Sequence, residues 1–404
     1  MRGSKFRKGI LAALATVAVS ATGCQQDIMQ PAEPGEPQAT VLHFKEKVHA
    51  STTWNDRGRA LLGALPNGSH APAIRILTYL SVAQYRAALA AEKSQRHDAG
   101  RGRWEFWRRP SVSAAVGAAS VAVLSSFFPA QAANLEVMLQ ADLDEEERFF
   151  AKFLDEEAGV AIGREVGGSV ITLALTDGVN TVSPGTPPVG PGYWVSSSAP
   201  IVRALYGARP FFMRSGDQLR APPPPAFGSA PFLTDLAEVR AISDTRTPEQ
   251  LALAVEMNHL TAPFTPGNWN ALAVQLIRDG HGSEREAARI LAYSNAAAFD
   301  AMIACWESKF AYWYIRPSQA DPAITLPIGL PNHPSYPSGH SCITSALLTV
   351  LMDEFPREKR ELATLIEKAG LSRVYAGIHY RFDLVAGKEI GRRAAQLALR
   401  GGLE

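Results

Sequence analysis

The chain has 404 residues, of which 46% are hydrophobic, and its 40 basic and 39 acidic residues leave a formal charge of +1. This balance produces no overall field that would attract nucleic acid or anionic lipid, so any anion site must be local. Only three cysteines are present, which excludes a disulfide scaffold, and the composition is that of a globular protein rather than of a disordered or fibrous one.

The amino terminus has the pattern of an export signal. Basic residues precede an apolar run over residues 10–21 that is too short to span a bilayer, as is typical of a signal peptide. The small residues directly before Cys24 resemble a bacterial lipobox, which predicts a lipid anchor at Cys24 on a bacterial membrane. An ordinary cleaved signal is the alternative. Both interpretations of residues 1–24 predict export to the periplasm or the cell surface.

Residues 25–44 are rich in Gln, Pro and Glu and have little to bury, which predicts a flexible tether. Helical patterns follow. The apolar periodicity of residues 71–91 predicts a core helix. Residues 111–128 are apolar almost throughout, but their Ala and Ser content favours a buried helix over a membrane span. Residues 141–159 have the pattern of an acidic amphipathic helix whose charges face solvent. We expect no membrane span after the signal.

A long interruption at residues 176–231 contains a run of prolines and cannot be a helix or a central strand. Its aromatic residues predict an ordered loop that covers the core. Helical patterns resume at residues 248–260, 269–278 and 283–311, and no alternating run is long enough to propose a sheet. The fold class is therefore predicted to be all-α with long proline-rich loops.

The last third of the chain contains three short clusters of charged and polar residues. In the first, Lys309 and Arg316 are seven residues apart and Pro317 follows. On a helix this spacing places both cations on one face, two turns apart, with Pro317 ending the helix. In the second, Ser338, Gly339 and His340 precede a helical pattern. The free N–H groups and the dipole at such a helix amino terminus favour an anion.

The third cluster is Ser372-Arg373, followed by His379 and Asp383. The last two are four residues apart, one helical turn, so the carboxylate could orient the imidazole ring. Together the clusters supply three cations, a hydroxyl, loop N–H groups and two imidazoles. A tetrahedral oxyanion needs this set, with the histidines available as nucleophile or ligand and as general acid or base.

The clusters match the signature KxxxxxxRP, PSGH and SRxxxxxHxxxD in order. The chain therefore resembles the superfamily that joins type 2 phosphatidic-acid phosphatases, bacterial non-specific acid phosphatases and vanadium-dependent haloperoxidases. The resemblance is strongest over residues 287–391 and weaker over residues 54–91 and 192–225. It implies a helical bundle of the acid phosphatase/vanadium haloperoxidase type, with residues 45–404 as one catalytic domain. Residues 45–285 would form its helical and loop amino-terminal portion, and residues 286–404 the core with the active site.

The resemblance also implies a role for each matched residue. One group would bind the oxyanion, whether vanadate or phosphate, and consists of Lys309, Arg316, Ser338, Gly339 and Arg373. His379 would be the axial vanadium ligand of a haloperoxidase or the nucleophile of a phosphatase. His340 would be the general acid or base, and Asp383 would support His379.

The choice between the branches depends on length and on one histidine. The helical amino-terminal portion is long for a soluble acid phosphatase and is similar to that of haloperoxidases. His333 falls where bromoperoxidases carry a second histidine, which implies a role in halide specificity and favours bromide. The implied cofactor is vanadate, and the implied substrates are hydrogen peroxide and halide. Acid phosphatase activity on a phosphomonoester or phosphatidic acid through a phosphohistidine is the alternative, and a lipoprotein that only binds phosphate is a third possibility.

Overall fold

The computed structural model describes residues 49–63, 65, 70–99, 109–150, 154–181, 186–197, 205, 207–259, 265–280 and 282–403. The predicted signal peptide and tether, including Cys24, lie outside these residues. The described helices fall within one compact unit, Glu46–Glu404.

Thirteen α-helices are found in the described residues, and they are labelled here in chain order. They are α1 (Ala50–Leu62), α2 (His70–Ala99), α3 (Val112–Phe127), α4 (Ala132–Phe150), α5 (Glu156–Leu175), α6 (Ala230–Thr245), α7 (Pro248–His259), α8 (Thr265–Gly280), α9 (Glu284–Tyr312), α10 (Pro317–Ala320), α11 (Gly339–Glu354), α12 (Lys359–Tyr375) and α13 (Arg381–Arg400). In the described part of the chain, the strands are limited to β1 (Arg109–Pro110) and β2 (Leu154–Asp155), which pair in parallel. The all-α prediction is confirmed.

The prediction of one helix over residues 141–159 is wrong. Helix α4 ends at Phe150, and α5 begins at Glu156 after the short strand β2. The side chain of Asp155 accepts a hydrogen bond from the backbone N–H of Ala158 at 3.0 Å. Asp155 therefore acts as an N-cap, and a capping aspartate begins a new helix where the acidic pattern alone suggested that one helix continued.

Helix α9 is the centre of the bundle and contacts α2, α11 and α13. Nearly every residue from Ala287 to Lys309 is buried. Many of these side chains are alanines, which allow neighbouring helices to approach closely. Helix α3 is buried from Ala114 to Leu124 apart from Ala122, as predicted for a core helix rather than a membrane span.

By length and composition alone, α5 could cross a membrane, and 28% of its apolar window is buried. No such helix was expected from the sequence. In the structure α5 packs along α3, and a Cβ atom on Gly163 would lie 2.2 Å from the carbonyl oxygen of Ala115. The small residues of α5 thus allow the backbones of the two helices to meet.

The long interruption between α5 and α6 is held against α9 in its described part. The carboxylate of Asp300 on α9 accepts hydrogen bonds from three consecutive backbone N–H groups, those of Phe211, Phe212 and Met213, at 2.7, 2.7 and 3.1 Å. Further along the loop, the hydroxyl of Tyr312 donates to the carbonyl of Ala221 at 2.7 Å. We call the described residues of this segment from 207 to 229 the strap.

Candidate active site

Lys309 and Arg316 do not lie on one helical face, which corrects the prediction from their spacing. Helix α9 ends at Tyr312 because Trp313 adopts the left-handed conformation, with φ 50° and ψ 35°, and its N–H donates to the carbonyl of Lys309. The chain then runs extended, and Arg316 is the residue before α10. Pro317 therefore begins a short helix instead of ending a long one.

The ammonium group of Lys309 is fully buried and donates to three backbone carbonyls. These belong to Pro334 at 2.8 Å, Ser335 at 2.7 Å and Pro337 at 2.5 Å. An ammonium has three N–H donors, so all of them are used. Burial lowers the pKa of Lys309 to about 8. A hydrogen bond from Lys309 to an oxyanion thus requires release of one carbonyl, and this predicted contact stays a prediction.

Arg316 connects two histidines of the site. Its Nη1 donates to the carbonyl of Ile378 at 2.6 Å and lies 3.2 Å from Nε2 of His379. Its Nη2 lies 3.0 Å from Nδ1 of His333, and its Nε donates to the His333 carbonyl at 3.1 Å. A guanidinium can only donate, so both ring nitrogens must be acceptors. This network assigns the ring proton of His379 to Nδ1 and that of His333 to Nε2.

His379 and Asp383 form a buried pair with 2.6 Å between Nδ1 and Oδ2. Only Asp383 lies on helix α13, because Tyr380 is the N-cap and His379 precedes it. Burial, together with the charges of Arg316 and Lys309, holds the pKa of His379 well below its usual value. The imidazole is therefore neutral at neutral pH, with its Nδ1–H directed at the carboxylate and its Nε2 lone pair directed at Arg316.

Ser335 is a member of the site that sequence reasoning missed. Its hydroxyl donates to Oδ2 of Asp383 at 2.6 Å. The same carboxylate oxygen accepts the backbone N–H of Tyr380 at 3.2 Å. Burial raises the pKa of Asp383 to about 7. The signal was present in the stretch from Asn332 to His340, where Ser335 lies three residues before Ser338.

Trp306 on α9 is a second residue that was missed. Its ring centroid lies 5.1 Å from that of His333, and Nζ of Lys309 lies 5.7 Å from the Trp306 ring. A Cβ atom on Gly339 would lie 3.0 Å from Trp306 Cζ3. The indole therefore packs beside three of the predicted site residues, and it leaves little room for a side chain at position 339.

Helix α11 begins at Gly339, and Ser338 is its N-cap. The backbone N–H of Ser338 donates to the carbonyl of Asp383 at 3.0 Å. His340 lies in the first turn of the helix and is partly exposed, whereas Ser338 and Gly339 are buried. The helix amino terminus thus lies beside the His379–Asp383 pair, as an anion site at a helix end requires.

Helices α11 and α13 are in backbone contact. A Cβ atom on Gly387 would lie 2.6 Å from the carbonyl oxygen of Ser338, and one on Gly391 would lie 2.4 Å from that of Cys342. Glycine at both positions of α13 therefore allows the helix that carries Asp383 to lie directly against α11 and its N-cap Ser338.

Arg373 lies in the last turn of α12 and is fully buried. Its Nε donates to the hydroxyl of Ser372 at 2.9 Å, and its Nη2 donates to the carbonyl of Ala254 on α7 at 2.9 Å. Burial lowers the pKa of Arg373 to about 9. The contribution of α7 was not predicted, since no motif in residues 248–259 points to it.

The charge of the site fits an oxyanion better than a metal cation. Within the described residues, no ion pair joins a carboxylate to Lys309, Arg316 or Arg373. No group of three or more His, Cys, Asp or Glu side chains among these residues is arranged to hold a metal ion. Three buried cations have no ion-paired carboxylate among these residues, and one of them, Arg316, lies next to the imidazole lone pair of His379. A phosphate-like or vanadate-like anion requires donors of this kind.

Residues 289–402 match the sequence model of the PAP2 superfamily. Over these residues the chain is similar to the PAP2 superfamily. The matched residues contain all three clusters, from Lys309 to Asp383. None of the curated protein sequences compared with the chain matches it.

Solved structures similar to the chain include those of bacterial vanadium-dependent haloperoxidases. A bacterial vanadium-dependent iodoperoxidase has a TM-score of 0.70 and 22% identity, over 88% of this chain and 97% of that protein. A bacterial vanadium-dependent chloroperoxidase in its apo form has a TM-score of 0.61 and 16% identity, over 85% of this chain and 96% of that protein. Its holo form has a TM-score of 0.62 and 16% identity, over 84% of this chain and 94% of that one. The predicted haloperoxidase-type helical fold is thus confirmed.

Proposed function

We propose that the protein is a vanadate-dependent haloperoxidase that oxidises halide, with bromide favoured, using hydrogen peroxide. One observation carries the proposal. His379 is held neutral by burial, its Nδ1–H is bound to Asp383, and its Nε2 lone pair faces the buried guanidinium of Arg316. An imidazole in this state can act as a ligand or a nucleophile for an oxyanion centre once the anion takes the Arg316 N–H from Nε2, and the arginine then supplies the compensating charge.

The residues present fit a bound vanadate. His379 Nε2 would be the single protein ligand, while Arg316, Arg373 and the amino terminus of α11 at Ser338 and Gly339 would hold the oxygens. Vanadate bound there would supply the Lewis acidity that activates peroxide toward halide. Asp383 keeps the proton on Nδ1 of His379. His340, which is partly exposed in the first turn of α11, would transfer protons.

Lys309 contributes positive charge to the site and orders the loop that leads into α11. Because its three N–H groups bind the carbonyls of Pro334, Ser335 and Pro337, it fixes the loop that leads into α11. His333 is bound to Arg316 and packs on Trp306, so it lies beside the residues that would hold the anion. Its place beside Arg316 supports a role in halide selection, and the resemblance of His333 to the second histidine of bromoperoxidases is the basis for favouring bromide.

Acid phosphatase activity is the second candidate, because the same geometry serves it. Nε2 of His379 would attack the phosphorus of a phosphomonoester, and His340 would protonate the leaving alcohol before water hydrolyses the phosphohistidine. The PAP2 match includes this chemistry. The haloperoxidase activities of the proteins with similar structures, which match over most of this chain, support the haloperoxidase as the first candidate.

The location is also part of the proposal. Basic residues and the short apolar run before Cys24 support export, with a lipid anchor at Cys24 on a bacterial membrane. Electrophoretic shift and metabolic labelling with a fatty acid test the anchor, and Cys24→Ser would abolish the label.

Paired assays on the purified full chain test the function. The protein is stripped of bound anions and assayed with and without orthovanadate for halogenation of a phenol dye with peroxide and chloride, bromide or iodide. Hydrolysis of p-nitrophenyl phosphate is assayed in parallel. Vanadate-dependent halogenation with weak hydrolysis is the expected result. Hydrolysis that vanadate inhibits, without halogenation of any halide, would replace the proposal with the phosphatase.

The His379→Ala variant separates either enzyme from a protein that only binds phosphate. We expect it to abolish turnover, since the ligand or nucleophile is lost. His49→Ala is a matched control, because His49 is also buried and its Nε2 bonds, within the described residues, to a backbone carbonyl, that of Gly282 at 2.7 Å. Undiminished turnover in the His379 variant would show that the assigned chemistry is wrong.

A further inference from the structure

Ser335 connects Lys309 to Asp383, the carboxylate that binds His379. Its carbonyl accepts from Nζ of Lys309 at 2.7 Å, and its hydroxyl donates to Oδ2 of Asp383 at 2.6 Å. Its N–H donates to the carbonyl of Tyr314 at 2.9 Å. All three polar groups of this fully buried residue are therefore bound, and each binds a different segment.

The carboxylate of Asp383 is bound on one side only. Oδ2 accepts from three donors, the ring of His379, the backbone of Tyr380 and the hydroxyl of Ser335. Oδ1 is buried, and it has no hydrogen-bond partner in the part of the chain that the structure describes. The carboxylate must therefore be held in this rotation by the donors on Oδ2.

The three donors differ in where they come from. His379 and Tyr380 belong to the segment that leads into Asp383, so they move with that segment. Ser335 is 48 residues away along the chain, and its backbone is fixed by Lys309 and Tyr314. Among these donors it is the one that ties the carboxylate to the loop that leads into α11.

We propose that Ser335 is a positioning residue that fixes the rotation of the Asp383 carboxylate and, through it, the direction of the Nε2 lone pair of His379. This inference rests on the proposed function of His379 as the oxyanion ligand or nucleophile. Because Lys309 binds the carbonyl of Ser335 and Asp383 binds its hydroxyl, a side-chain substitution removes only the second contact.

The first test measures anion affinity. Inorganic phosphate and orthovanadate are titrated calorimetrically into the anion-stripped full chain and its Ser335→Ala variant. We expect the variant to bind both anions about 10-fold more weakly, the lower end of the effect of losing a residue that orients a ligand. Ser335→Thr, which keeps the hydroxyl, should remain within about twofold of the original.

Ser345→Ala is the matched control. Ser345 is also a buried serine, and its hydroxyl donates to a backbone carbonyl, that of Lys388, at 2.9 Å, on α11 but away from the His379–Asp383 pair. This variant should lose stability without losing anion affinity. If Ser335→Ala fails to fold, Ser335→Cys takes its place, since a thiol has similar size and is a weak donor.

The second test observes the imidazole directly in the anion-free protein. With ¹⁵N-labelled histidine, the Nδ1–H of His379 should give a far-downfield proton signal, because it is bound to a buried carboxylate. The signal should persist in Ser335→Thr and in Ser345→Ala, and it should shift or broaden in Ser335→Ala. This readout does not need bound vanadate or turnover.

The third test is a double-mutant cycle with Asp383→Asn. If Ser335 acts through Asp383, then Ser335→Ala should cause little further loss of phosphate affinity in the Asp383→Asn background. An equal loss in both backgrounds, or an unchanged imidazole signal and affinity in Ser335→Ala, would overturn the proposal. Failure of the original protein to bind either anion would instead overturn the proposed function, and the imidazole signal would still decide the role of Ser335.

Discussion

Two regions of the molecule each depend on a fully buried aspartate. Asp300 holds the strap, and Asp383 supports His379 in the candidate active site. Burial raises the pKa of Asp300 to about 7, and it raises the pKa of Asp383 to about 7 as well. Their donors differ. Asp300 uses both oxygens to accept three backbone N–H groups of the strap. Asp383 uses one oxygen, and two of its three donors are the side chains of His379 and Ser335.

This difference decides what each carboxylate can do. Backbone N–H groups cannot exchange a proton with a substrate, so Asp300 can only hold the strap in place. The imidazole bound to Asp383 directs its other nitrogen, Nε2, toward Arg316. The buried carboxylate of Asp383 therefore orients a reactive group. Burial and a raised pKa are thus shared by a structural and a functional aspartate, and the identity of the donors distinguishes them.

The largest expected difference between the two aspartates is in the effect of their substitution on activity. Asp383→Asn should lower kcat/KM of the vanadate-dependent reaction by about 10–100-fold, because the orientation of His379 is lost. Asp300→Asn should change kcat/KM by less than about twofold. Steady-state kinetics on both variants check the contrast. If the two variants lost activity equally, the assignment of separate roles would be wrong.

Removal of the Asp300 carboxylate should lower the stability of the folded protein. Asp300→Ala leaves the N–H groups of Phe211, Phe212 and Met213 without their acceptor, which should lower the free energy of unfolding by about 2–4 kcal/mol. Urea denaturation measures the change, and limited proteolysis should show earlier cleavage within the strap. Resistance to protease equal to that of the unaltered protein would show that other contacts, such as the one from Tyr312, hold the strap alone.

The pH dependence of stability should also report Asp300. Its pKa is raised on folding from about 3.8, so the folded state binds the proton more tightly than the unfolded state does. The resulting stability is present below about pH 4 and is lost as the pH rises through about 7. The free energy of unfolding should therefore fall with rising pH by up to about 1.4 kcal/mol per unit in this window.

The difference between the unaltered protein and Asp300→Asn isolates this slope, because the contributions of Asp383 and His379 are common to both. The slope should be shallower in the variant, as measured by urea denaturation between pH 5 and 8 at constant ionic strength. Parallel lines for the two proteins would contradict a raised pKa at Asp300.

The smallest expected effect concerns a single bond of the strap. The hydroxyl of Ser308 accepts the backbone N–H of Ala221 at 3.0 Å. Ser308→Ala should lower the free energy of unfolding by about 1 kcal/mol and leave kcat/KM unchanged. A loss as large as that of Asp300→Ala would mean that the strap depends on this end rather than on its carboxylate anchor.

The sequence predicted the chemical members of the site better than their arrangement. Apolar periodicity located α2 and α9, and the three motifs located the cations and histidines. The motifs do not reveal what Ser335, the Ala254 carbonyl and Asp300 bind, because their partners lie 48, 119 and 87–89 residues away along the chain. The spacing of Lys309 and Arg316 misled because the left-handed Trp313 ends the helix between them, a conformation that no spacing rule anticipates.

Gly387 and Gly391 are required for an intact site, although neither belongs to the three motifs. They follow Asp383 by four and eight residues, and each would place a side chain within 2.6 Å of the backbone of α11. A chain could keep every letter of the three motifs and still lose the site if either glycine became a larger residue, because α13 would be displaced from Ser338. When segments are exchanged between homologous chains, α11 and α13 should therefore be inherited together, and small residues at these two offsets should serve as a further mark of an intact site.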